Sequence, residues 1–133
     1  MARDELPPQV AVVIPCRDEA ITIAQVVEGF RRSMPDAEIV VCDNASTDDT
    51  AARAREAGAR VIEEPRPGKG RAVRRLLADV DADCYVMVDG DATYDPRTAP
   101  QMVHEVLENG VDMVVAKRVS AVSYTHLRAH ETR

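Results

Sequence analysis

Five short apolar runs, each released into a polar loop and each separated from the next by a helix-like segment, constrain this chain more than any other feature. Residues 10–14 (VAVVI), 38–42 (EIVVC), 60–63 (RVIE), 85–88 (YVMV) and 111–116 (VDMVVA) are rich in β-branched and large apolar side chains. Runs of this length and kind predict strands, with 10–14 of the kind covered on both faces and 85–88 a buried core strand. Pro15 is expected to end the first strand, and the second to stop at Cys42 and release Asp43 and Asn44 into a loop. Between the strands, residues 21–33 place Ile23, Val26, Val27 and Phe30 at helical spacing. Residues 50–57 predict a short Ala-rich helix, capped by Ser46 or Thr47 and closed by Gly58. Residues 71–80 predict a helix with Val73, Leu76, Leu77 and Val80 on one side. A further helix opens at Asp95-Pro96, runs to about Glu108 and is stopped by Gly110. Strand–helix alternation with short loops gives an α/β fold: a mostly parallel, Rossmann-like sheet in a three-layer α/β/α sandwich. Such sheets bind ligands at the carboxyl ends of their strands.

Composition excludes several classes. The 133 residues suit one domain, and 45% hydrophobic content with 3% aromatics and no Trp implies an aliphatic core. A net charge of −6 argues against nucleic acid as a partner. No apolar run reaches membrane-spanning length. The first residues, MARDELPPQ, lack the apolar core of a signal peptide, so a cytoplasmic chain is expected. Cys16, Cys42 and Cys84 are an odd, widely spaced set and read as free thiols.

The unusual residues fall where the predicted strands end. Residues 15–19 (PCRDE) follow the first strand, 43–46 (DNAS) the second, 64–70 (EPRPGKG) the third, 89–91 (DGD) the fourth, and Lys117-Arg118 the fifth. Asp89 and Asp91 leave their strand together across Gly90, which lets the backbone turn without a Cβ clash. Two carboxylates this close repel unless a cation lies between them, and hard oxygen ligands suit Mg²⁺ or Mn²⁺. Gly68-Lys69-Gly70 can offer backbone N–H groups and an ammonium to phosphate at a helix start. A GxGxxG fingerprint after the first strand and Walker A spacing are both absent.

Taken in order, VVIPCRDE, VCDNASTDDT, PRPGKG, YVMVDGD and VVAKR resemble the nucleotide-binding half of a family 2 glycosyltransferase of the GT-A fold. The closest flavour is the polyprenyl-phosphate sugar transferases, such as dolichyl-phosphate mannosyltransferase. The similarity covers about residues 9–118. By position, it implies that Pro15, Arg17 and Glu19 line a nucleoside pocket and that Asp43 and Asn44 reach the base. It implies that Gly68, Lys69, Asp89, Gly90 and Arg118 hold the donor, with Asp89 at the ribose or metal and Arg118 at the diphosphate. Asp91 would be the metal ligand of the DXD motif. The implied reaction is inverting, metal-dependent hexose transfer from a UDP- or GDP-sugar, with a polyprenyl phosphate as acceptor at a membrane surface. Two positions depart from the pattern: Asn44 stands where a second Asp is common, and Thr93 where a metal-assisting Gln sometimes occurs.

Two other readings of this architecture are a nucleotidyltransferase and a non-catalytic nucleotide-binding domain. The first would carry a glycine-rich loop after the first strand, and residues 15–19 contain no glycine. Residues 122–132 (VSYTHLRAHET) resemble the translation of a transposon-derived sequencing adapter. The expectation is therefore a donor half over residues 1–120 of a longer protein, an unstructured artefactual tail over 121–133, and no ligand role for His126 or His130. The acceptor-side base would lie beyond this chain.

Overall fold

The computed structural model describes residues 7–116 and 129–131. Four parallel strands form the central sheet: β1 (Val10–Cys16), β2 (Glu38–Asn44), β3 (Arg60–Glu64) and β4 (Cys84–Met87). Their order is β3-β2-β1-β4. The chain winds outward from β1 through β2 to β3, then crosses back to lay β4 on the other side of β1.

Side chains alternate between two cores, as a strand period of two requires. Val12, Ile14, Ile39 and Val41 meet α1 (Ile23–Ser33) and α2 (Thr50–Glu56) on one face. Ala11, Val13, Val40, Cys42 and Ile62 meet α3 (Lys69–Asp79) on the other. Helix α1 buries Ile23, Val26, Val27 and Phe30, its apolar stripe, as the spacing predicts. Each such aliphatic side chain contributes roughly 1.5–3 kcal/mol on burial. A 3₁₀ turn at Pro96–Thr98 leads into α4 (Ala99–Glu108). The three-layer parallel α/β architecture is thus the expected one.

Several boundaries differ from expectation for identifiable reasons. Pro15 does not end β1; it sits within the strand, opposite Cys42. The Val13 carbonyl faces β4, accepting from Val88 N at 3.2 Å. By alternation, the N–H that Pro15 lacks would point to that same side, past the last β1–β4 pair at Val13 and Met87, so no ladder bond is lost. Asp43 and Asn44 are not loop residues; they extend β2 against Glu63 and Glu64 of β3. Helix α3 starts at Lys69, two residues earlier than predicted, because Gly68 takes φ +137 just before it. The inward side also differs: Ala72, Leu76 and Val80 are buried, whereas Leu77 is 45% exposed. Asp49, not Ser46 or Thr47, occupies the N-cap of α2.

The YVMV run is a sheet edge among the described residues, with Tyr85 37% and Met87 44% exposed, rather than a strand covered on both faces. The predicted fifth strand shortens to β5 (Val114–Ala116) and does not join the main sheet. It pairs antiparallel with β6 (Ala129–Glu131), which lies in the segment expected to be without structure. No helix among the described residues is long and apolar enough to cross a membrane.

Candidate functional site

Strand order reverses at β1, whose successors lie on opposite sides of it. In open parallel sheets the loops beyond the carboxyl ends of the two strands flanking such a switch point part to leave a crevice. Here those loops are the one after β1, carrying Arg17, Asp18 and Glu19, and the turn after β4, carrying Asp89, Gly90 and Asp91.

Side-chain hydrogen bonds hold the β1–α1 loop to its neighbours. Asp18, in the left-handed region at φ +54, accepts from Thr47 N at 2.7 Å, and its own N–H donates to Ser46 Oγ at 2.9 Å. Glu19 N donates to Thr50 Oγ1 at 3.0 Å, and Ala20 N to Asp48 Oδ2 at 3.2 Å. Ser46 and Thr47, expected as helix caps, are therefore ties between two strand-end loops. On the other side, Thr22 Oγ1 donates to the Gly90 carbonyl at 2.6 Å. Gly90 comes so close to β1 that an added Cβ would stand 2.9 Å from Cys16 Cβ and 3.4 Å from Glu19 Cγ.

This packing gathers charge. Lys69 Nζ reaches Asp89 Oδ1 at 2.6 Å, so the ammonium lies beside the DGD turn, and that bond raises the lysine's pKa. Asp91 is exposed and accepts from Thr93 Oγ1 at 2.7 Å. Burial, followed by the nearby Asp91 and Asp89 charges, raises the Glu19 carboxyl above its ordinary range. Asp43 is buried, and its Oδ1 accepts from Ser46 N at 3.3 Å. Asn44, also buried, bonds to Glu64 at the end of β3 and to Arg66 and Gly68 of the β3–α3 loop. Glu64 holds that loop from beneath, accepting from Arg66 N at 3.0 Å, with Arg75 at 3.6 Å.

The structure thus brings Glu19, Lys69, Asp89, Gly90 and Asp91 together at the switch point. Pro15 is buried in β1 below them, Arg17 is exposed beside them, and Asp43, Asn44 and Gly68 line the β2–β3 side. Arg118 lies outside the described residues. Sequence reasoning missed Asp18, Thr22, Asp48, Thr50 and Glu64. Each is an ordinary loop or strand-end polar residue whose long-range partner no local spacing reveals. All three cysteines are free and buried; desolvation pushes each thiol up, that of Cys42 to about 11, which removes them as nucleophiles.

The donor chemistry fits a hard divalent cation. Asp89 and Asp91 offer only carboxylate oxygens, and no cluster of three or more His, Cys, Asp or Glu that could hold a metal exists among the described residues. Mg²⁺ and its like are commonly held by one or two carboxylates, with substrate phosphates completing the shell. A concavity of about 430 Å³ bounded by Glu28, Arg31, Met34, Pro35 and Gly58 lies at the opposite, amino-terminal edge of the sheet.

Known proteins share this fold. Glucosyl-3-phosphoglycerate synthase from Mycobacterium tuberculosis, solved with Mn²⁺, UDP and glucosyl-3-phosphoglycerate, superposes with a TM-score of 0.70 at 34% identity. That match covers 78% of this chain and 42% of the synthase. The same enzyme has been solved with Mg²⁺ and UDP (TM-score 0.67, 33% identity). Among curated relatives, Protein RfbJ of Shigella flexneri is 51% identical over 109 residues, covering 82% of this chain and 84% of RfbJ. Glycosyltransferase AglJ of Haloferax volcanii is 38% identical over 113 residues, covering 84% of this chain but 37% of AglJ. The model of the family described as "Glycosyl transferase family 2" matches residues 11–133. With its GT-A sheet, its strand-end carboxylates and a family match over nearly its whole length, the chain belongs to glycosyl transferase family 2.

Proposed function

We propose that this chain forms the donor side of an inverting glycosyltransferase that transfers a hexose from a UDP- or GDP-sugar. The observation that carries the reading is the Asp89-Gly90-Asp91 turn at the switch point, tied to the start of α1 through Thr22 and paired with Lys69. UDP is the favoured donor nucleotide, because similar structures hold UDP with Mn²⁺ or Mg²⁺. In this reading Asp91 and Asp89 bind the divalent cation, which when present offsets the charge on the leaving diphosphate. Lys69 adds a second positive charge on the same side, with Arg118 assigned to the diphosphate by family position. Pro15, Arg17 and Glu19 flank the nucleoside, and Asp43 meets the base or ribose.

Transfer breaks the bond between the anomeric carbon and the β-phosphate oxygen. The electron pair leaves with the nucleoside diphosphate while an acceptor oxygen bonds from the opposite face. An acceptor phosphate is already ionised and needs no protein base; an acceptor hydroxyl does. We take polyprenyl phosphate as the acceptor, on the motif resemblance. A phosphorylated acid is the second reading, favoured by the synthase structures that hold phosphoglyceric acid. We assign residues 121–133 no part in the donor site, in keeping with their likeness to translated adapter. Removing 122–133 should leave UDP affinity unchanged.

Mn²⁺ titration followed by electron paramagnetic resonance tests the metal assignment. With UDP present, the free-ion signal should fall as protein is added, and Asp91→Ala should restore it. An Asp91→Ala protein that sequesters Mn²⁺ as well as the unaltered chain would refute the assignment.

A further inference from the structure

We infer that Asn44 is a positioning residue: its buried side-chain amide clamps the β3–α3 loop so that Lys69 is presented to the donor diphosphate, and it does not read the base. This deepens the donor-site reading above and rests on it. Asn44 Nδ2 donates to the Glu64 carbonyl at 3.2 Å and to the Arg66 carbonyl at 2.8 Å. Its Oδ1 accepts from Gly68 N at 2.9 Å. The partners themselves fix the amide's orientation, since two carbonyls can only face the NH₂ and an N–H can only face the oxygen.

Both amide hydrogens are therefore spent on the loop, and one oxygen lone pair remains on a residue 3% exposed. A base edge has no donor left to meet. The three bonds span the five residues Glu64 to Gly68, so they fix the path of the loop up to the first residue of α3. Gly68 carries the chain through at φ +137, and Lys69 follows at once, its Nζ 2.6 Å from Asp89. Glu64 adds an independent tie, its carboxylate 4% exposed and bonded to Arg66 N. Asn44 thus lies beneath the loop that carries the cation, where its chemistry acts through backbone placement.

Asn44→Asp keeps the size, removes both donors and sets a carboxylate against two carbonyls. The test measures UDP and GDP affinity with Mn²⁺ by calorimetry in the unaltered chain, Asn44→Asp, Lys69→Met and the double variant. Asn44→Asp should weaken both nucleotides by a similar factor, about tenfold, the scale of one charge-assisted contact. It should add little once Lys69 is already Met. A changed UDP-to-GDP ratio, or a loss that simply adds to that of Lys69→Met, would overturn the inference. If Asn44→Asp does not fold, Asn44→Ser carries the same comparison, since a hydroxyl can still donate one bond. Failure of the unaltered chain to bind either nucleotide would instead remove the donor-site reading, and this inference with it.

Discussion

Gly90 is glycine because of what stands next to it. Its φ is not in the left-handed region, yet a Cβ there would lie 2.9 Å from Cys16 Cβ, an atom anchored to the backbone of β1. Gly90→Ala should cost roughly 1–3 kcal/mol in denaturant unfolding, as overpacking does. Gly70, in the first turn of α3 with nothing within 4 Å of its Cβ position, is the control. Gly70→Ala should be neutral or stabilise by about 0.5–1 kcal/mol. The sequence marked Gly90 as a turn residue, but the close approach to Cys16 joins positions 74 apart and has no local signature. Glu19 gives a prediction in pH. Its carboxyl is raised from 4.5 by burial and then by Asp91 and Asp89, so the folded chain holds its proton longer than the unfolded one. Stability is therefore lost as pH rises through that window. Glu19→Gln should raise unfolding stability at neutral pH by roughly 0.5 kcal/mol, the screened scale for a partly exposed group. It should have no effect near about pH 3, where the Glu19 carboxyl is neutral in both the folded and the unfolded chain. An equal gain at both pH values would show that the charge on Glu19 is not its cause.

Between elements, the strand-end loops are held by hydroxyls. Thr50 is fully buried, and its Oγ1 both accepts from Glu19 N and donates to Asp48. Thr50→Val would strand the Glu19 N–H and remove one of the donors to Asp48, and should cost about 1–3 kcal/mol, with Thr50→Ser recovering most of it in the same melt. Thr22→Val should cost about 1 kcal/mol of stability by freeing the Gly90 carbonyl. It should also weaken metal-dependent UDP binding, because the Asp89–Asp91 turn loses its tie to the start of α1. The helices and the inner strands were legible because their apolar periodicity is local and strong. What was not legible came from pairing. β2 runs on through Asp43 and Asn44 because β3 continues alongside it to Glu64, and Pro15 fits within β1 because β4 has ended by that level. Neither fact can be read from one strand at a time.

At the scale of the molecule, a single topological reversal at β1 gathers charged residues from several loops onto one edge. Alternation of strands and helices made the fold class legible, and the polar strand ends made Glu19, Lys69, Asp89 and Asp91 legible as a set. The apolar run of β4 was misread as fully covered because its composition carries no record of how many neighbours it has. Tyr85 and Met87 are exposed on that edge, so self-association is the expected outcome in sedimentation experiments, and Met87→Lys should reduce it without altering nucleotide affinity. The central claim is that Asp89 and Asp91 build a cation-dependent site for a nucleoside diphosphate at the β1–β4 crevice. Calorimetric titration of the 133-residue chain with UDP, with Mn²⁺ and then with chelator, tests it most directly. Binding with Mn²⁺ that is lost with chelator and in Asp91→Ala is the expected result; equal UDP affinity with and without metal would contradict the site.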